Sequence, residues 1–122
     1  MSMKEFSCLK SHSLILSAVF LLRDKGLYTS AKGLYDILTG VHKDPKAKEL
    51  ECYGYYSNLS SRTFHSRIRL LLRYGYLSNL YKEEISDYVL VLTEKGKREV
   101  RAVKWHAPKT EETNLLEIKE EL

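Results

Sequence analysis

Residues 11–26, SHSLILSAVFLLRDKG, restrict the fold of this 122-residue chain more than any other stretch. Leu14, Ala18, Leu21 and Leu22 recur at helical spacing. Ile15, Leu16 and Val19 widen that stripe until it covers most of the helix circumference. A surface helix carries a narrower stripe, so this one needs neighbours on several sides. Ser11 or Ser13 is placed to cap its start, and Gly26 to end it with a left-handed residue. The apolar run Leu14–Leu22 is far shorter than the roughly 20 residues of a membrane-spanning helix. The sequence therefore predicts a small helical core.

The rest of the chain supplies the partners. LYTS (27–30) is β-prone, and Ser30 or Thr29 then caps a helix over Ala31–Thr39 that buries Leu34, Ile37 and Leu38 and stops at Gly40. Residues 41–57, VHKDPKAKELECYGYYS, read as an irregular or partly helical link. Ser60 caps the next helix, SSRTFHSRIRLLLRYG, whose Phe64, Ile68, Leu71 and Leu72 face the core and which Gly75 closes. YLSNLY (76–81) and YVLVL (88–92) bracket KEEISD as an antiparallel hairpin with a six-residue loop. Thr93 caps a last helix, TEKGKREVRAVKW, with Val100 and Val103 as a narrow stripe. One domain is expected over 13–107, with an N-terminal arm (1–12) and an acidic tail (108–122).

This order predicts an α+β, mostly helical fold: a winged helix-turn-helix with a three-helix core, a two- to three-stranded antiparallel wing and a C-terminal helix. Within it, SSRTFHSRIRLLLRYGYLSN followed by YVLVLTEKGKREV resembles winged-helix transcription regulators of the MarR and PadR type. The matching residues are Leu71, Gly75, Tyr76 and Leu77 at the helix-to-strand turn, and Leu92, Thr93 and Gly96 at the start of the last helix. The likeness covers about residues 13–105. It implies a recognition helix over 60–74 that enters the major groove of double-stranded DNA, in a protein that pairs as a homodimer and regulates transcription. Two features depart from that pattern. The wing loop holds Glu83, Glu84 and Asp87 against Lys82, and the link between the second and third helices is long. Archaeal origin-recognition winged helices also carry a long link there.

The charge pattern agrees with a polyanionic partner. The overall net charge is +4, but residues 110–122 hold five glutamates against Lys119, a net of −4 that leaves +8 on residues 1–109. Spacing of about 100° per residue puts Arg62, His65, Ser66, Arg69 and Arg73 on the face of helix 60–74 opposite its apolar stripe, with no acid among them. Arginine forks bond phosphates or the guanine O6/N7 edge, and serine bonds either. Base reading is assigned to Arg62, His65, Ser66 and Arg69, and phosphate contact to Arg73, with Ser61 and the wing cation Lys82 in support. Arg67, nearer the core edge, is a backbone contact or a salt-bridge partner. Lys43, Lys46 and Lys48 of the link are within reach of phosphates. Tyr55 and Tyr56 stack there or, the favoured reading, pack over the core.

Other chemistries are not suggested. His12, His42, His65 and His106 with Cys8 and Cys52 show no metal-ligand spacing, and no phosphate-binding glycine loop occurs. No cofactor and no enzymatic activity are expected. Two separated cysteines and an N-terminus, MSMKEFSCLK, without a secretory pattern predict a cytoplasmic protein, nucleoid-associated if DNA-bound. Phe6, Leu9, Val100, Val103, Trp105 and Leu115 form the expected dimer surface. An alternative is a winged helix used for protein–protein assembly in a replication or transcription complex, which the acidic wing and tail favour. The tail, with Leu115, Ile118 and Leu122 at helical spacing, also has the charge to fold onto the basic helix and compete with DNA.

Overall fold

Helix α1 (Lys10–Asp24) is buried without a break from Ser11 to Val19, with Leu22 below. The computed structural model describes residues 10–105 of the chain. The wide apolar stripe is thus enclosed, as its composition requires. The expected caps are displaced: Ser11 and Ser13 lie inside the helix and are buried. Their small side chains let neighbouring segments approach. Ser17 uses that proximity, donating to the Ser13 carbonyl at 2.7 Å and accepting from the Arg101 amide at 2.9 Å.

Helix α2 (Ala31–Thr39) has the expected ends. The Ser30 hydroxyl accepts from the Gly33 amide at 3.2 Å. Gly40 closes the helix at φ +79°, where an L side chain would be strained. The long link then folds back on the helix it left. Its one helical turn, α3 (Pro45–Lys48), is capped by Asp44. Gly54 and Tyr56 donate amides to the Ile37 and Leu38 carbonyls at 2.9 and 2.8 Å, satisfying acceptors that a helix end leaves open. The Tyr53 hydroxyl donates to the Gly40 carbonyl at 2.8 Å. Ala47, Leu50, Cys52 and Tyr56 are buried, so the link is part of the core.

Helix α4 (Ser61–Arg73) runs from Ser60, whose hydroxyl accepts from the Thr63 amide at 3.1 Å, and the chain turns at Gly75, φ +81°. Strands β1 (Leu77–Lys82) and β2 (Asp87–Leu92) pair antiparallel from Leu77↔Leu92 to Lys82↔Asp87. The connecting loop is therefore Glu83–Ser86, shorter than expected, because Lys82 and Asp87 pair as the last rung of the ladder. LYTS forms no strand. It contributes one ladder bond, from the Leu90 amide to the Thr29 carbonyl at 2.9 Å.

The last helix is a single turn, α5 (Glu94–Lys97), rather than the long helix expected. The Thr93 hydroxyl accepts from the Gly96 amide at 3.0 Å and donates to the Gly75 carbonyl at 2.5 Å, tying the turn to the end of α4. After it the chain runs without helix and lays Val100, Val103 and Trp105 on the core. β-Branched Val100 and Val103 support a helix poorly, and packing on the core outweighs the weak helical stripe. Trp105 stands edge-on to Tyr55, ring centroids 4.8 Å apart. Trp105 is thus buried in this chain's own core, and Val100 and Val103 are half-buried against it. Phe6, Leu9, Leu115, the arm to residue 9 and the acidic tail lie outside the described residues.

The result is an α+β chain of five helices and a two-stranded antiparallel sheet, described over residues 10–105. No helix among the described residues is long and apolar enough to cross a membrane.

Candidate nucleic-acid interface

Two anchors position α4. Phe64, Ile68 and Leu71 are buried in the core along one side. At its start, the Tyr35 hydroxyl of α2 donates to the Leu59 carbonyl at 2.7 Å, one residue before the cap. At its end, Lys95 donates to the Tyr74 carbonyl at 2.9 Å, with its ammonium 4.5 Å from the Tyr76 ring centroid. A cation there also complements the negative end of the helix. Neither Tyr35 nor Lys95 is legible as an α4 contact in the sequence, because each reaches the helix from more than 20 residues away.

With the apolar side fixed inward, Arg62, Arg69 and Arg73 stand exposed on the outward face. Among the described residues no carboxylate pairs with any of the three. Arg73 lies 5.8 Å from the Tyr74 ring centroid, a position that orients it without neutralising it. Ser61 is exposed and Ser66 half-buried on the same helix. Arg67 is half-buried and engaged in a contact of its own.

His65 sits differently from expectation. Its ring is half-buried on the flank, 5.9 Å from the Tyr35 ring and 5.1 Å from the Phe64 ring. Nδ1 lies 2.9 Å from the Ser61 carbonyl oxygen, which only accepts, so Nδ1 carries the hydrogen. The outward-facing set is thus narrower than the one expected, with His65 built into the wall between α4 and α2. Lys82 is also committed: its ammonium lies 4.5 Å from the Tyr28 ring centroid. Lys43, Lys46 and Lys48 are exposed on the link, Tyr56 is buried and Tyr55 half-buried.

Chemically, the outward face offers planar cationic donors and hydroxyls. The Ser61 hydroxyl lies 3.2 Å from His65 Nδ1, but that nitrogen directs its hydrogen at the Ser61 carbonyl and so does not serve as a base toward the hydroxyl. A cavity of about 220 Å³ lies elsewhere, between α1, the 27–29 segment and the hairpin. Its wall of Val19, Leu22, Leu27 and Leu90, with Arg23 and Lys97, contains no carboxylate, histidine or cysteine. Among the described residues no three His, Cys, Asp or Glu side chains are grouped to hold a metal ion. Cys52 is fully buried, and burial pushes its thiol up to about 12, which removes it from thiolate chemistry.

Comparisons with protein-family models, with curated proteins and with solved structures find no match to this chain.

Proposed function

We propose that this chain binds double-stranded DNA as a winged-helix protein, laying α4 in the major groove, and that it acts as a regulator of transcription. The observation that carries this reading is the outward face of α4. Three arginines without acidic partners among the described residues project from a helix whose opposite side is locked into the core. At 1.5 Å rise per residue, Arg62 and Arg69 are separated by about 10 Å along the axis, roughly three base pairs. Arg73 extends the line by about 6 Å toward the flanking phosphates. The winged-helix reading rests on the order of elements, three core helices then a hairpin, and on the Leu90–Thr29 bond that ties the hairpin to the segment before α2.

The test is fluorescence anisotropy with duplex DNA over a salt series. Affinity is expected to fall steeply between about 50 and 200 mM salt, because bound arginines release counterions from the phosphates. Arg62→Ala and Arg69→Ala are each expected to weaken binding by about 1–3 kcal/mol, as for base-edge contacts. No binding at low salt, or binding indifferent to both substitutions in folded protein, would rule the reading out.

A further inference from the structure

The hairpin tip bears a surface that DNA binding does not use. Tyr81 and Tyr88 are directly opposed across the strands, their ring centroids 5.2 Å apart at 69°. The two rings are 49% and 56% exposed, and Ile85 in the loop is 57% exposed. Paired rings of this kind are a rigid platform that gives up little side-chain freedom on contact. The loop beside them carries Glu83 and Glu84, both exposed and without an ion-pair partner among the described residues. Lys82, the one cation of the tip, lies against Tyr28. An apolar, aromatic surface is thereby combined with an excess of negative charge, Glu83, Glu84 and Asp87 against Lys82, on a chain body that is otherwise basic.

That combination selects its occupant by charge. Phosphates of a nucleic acid and the anionic face of a lipid bilayer are both repelled by Glu83, Glu84 and Asp87. A cationic partner is repelled by the basic body and attracted to the tip, where the two rings add a stacking surface to the charge. Tyrosine faces beside carboxylates suit a guanidinium better than an ammonium, because arginine stacks flat on a ring while its donors reach an acid. We propose that the hairpin tip docks an arginine-rich segment of another protein, with guanidinium groups stacked on Tyr81 and Tyr88 and hydrogen-bonded to Glu83 and Glu84. This surface is distinct from α4, so the chain joins a DNA contact and a protein contact on separate elements.

The experiment is an NMR titration of the full-length, isotope-labelled chain with a short synthetic peptide of alternating arginine and leucine. Peptides with lysine or glutamate in place of arginine serve as comparisons. Shifts are expected at residues 80–88, with the arginine peptide binding more tightly than the lysine peptide and the glutamate peptide not binding. Glu83→Gln with Glu84→Gln, confined to an exposed loop, is expected to weaken binding roughly fivefold and to flatten its salt dependence, as loss of exposed charge contacts predicts. Tyr81→Ala with Tyr88→Ala should weaken it roughly fivefold or more through lost cation–π contact. Arg69→Ala should leave it unchanged, which separates this proposal from the DNA reading. Shifts that map elsewhere, equal binding of the glutamate peptide, or affinities indifferent to the loop change would overturn it. So would salt-sensitive self-association by sedimentation that Glu83→Gln with Glu84→Gln abolishes, because the occupant would then be a second copy of this chain.

Discussion

Tyr35 of α2 donates its hydroxyl to the carbonyl oxygen of Leu59 at 2.7 Å, across 24 residues of sequence. The link between α2 and α4 thus leaves and returns at nearly one place, and a long insertion costs the geometry of the helix pair little. The same ring packs 5.4 Å from Phe64 and 5.9 Å from His65, so one side chain sets both the start and the flank of α4. Tyr35→Phe keeps the ring and removes the donor. It is expected to destabilise the fold by about 1 kcal/mol, the ordinary worth of such a bond, in urea unfolding. The loss of DNA affinity should be small beside that of Arg69→Ala. Unchanged stability would mean that the link is held by its other bonds to α2 alone.

Two glycines that look alike in sequence should respond differently to alanine. Gly75 has a φ of +81° and open space around it, so Gly75→Ala meets only backbone strain, about 1–2 kcal/mol. Gly96 has an ordinary φ, but an added Cβ would run into the carbonyl oxygen of Tyr76. That atom is backbone and also receives the Thr93 amide at 3.3 Å, so it has little freedom to yield. Gly96→Ala is therefore expected to cost more than Gly75→Ala, about 3 kcal/mol or above, as overpacking against a fixed wall does. Thermal melts of the two variants decide the order, and a smaller loss at Gly96 would show that α5 can shift away from β1.

What was legible in the sequence is what short-range chemistry determines. Ser30 with Gly40 and Ser60 with Gly75 mark the bounds of α2 and α4 because a cap acts within one turn. The arginine face of α4 follows from helical spacing, and the cysteine beside the tyrosines is buried as a small apolar residue should be. What could not be read depends on contacts distant in sequence. Ser11 and Ser13 look like caps until neighbouring chain buries them. Residues 98–105 carry a helical stripe, yet the Ser17 hydroxyl and the core surface hold them in turn and irregular backbone. His65 belongs to the outward face by angle, and Tyr35 of another helix joins Phe64 and the Ser61 carbonyl in holding it on the flank.

The arginines of α4 should separate by role. Arg73 stands at the last turn, against the Tyr74 ring, past the stretch proposed to reach base edges. Arg73→Ala is expected to weaken all duplex sequences alike and to reduce the slope of log affinity against log salt by about 1, the signature of one lost phosphate contact. Arg62→Ala and Arg69→Ala should instead narrow the difference between preferred and random duplexes. Anisotropy titrations on both duplex types measure the two effects, and sequence-dependent loss at Arg73 would move base reading to the end of the helix.

Alkaline pH should expose the burial of Cys52. Its thiol is raised from an ordinary value of 9.0 to about 12, first by desolvation in the packed link and then, in smaller part, by the charge of Glu51. The unfolded chain therefore loses this proton near pH 9 while the folded chain keeps it up to about pH 12. Below the lower value both states hold the proton and the group has no effect. Between the two values the folded state binds more protons, so stability falls as pH rises, by up to about 1.4 kcal/mol per pH unit. Tyr55, raised above its ordinary value of 10.0 by burial, adds loss of the same sign at the upper end. Urea unfolding across this window should show the decline in the natural chain and a shallower one in Cys52→Ala. In a Cys8→Ser background, a thiol reagent at neutral pH should label Cys52 only as fast as the fold opens. Rapid labelling of the folded chain would mean that the link opens without global unfolding and that its seat on α2 is weaker than its bonds to Ile37 and Leu38 indicate.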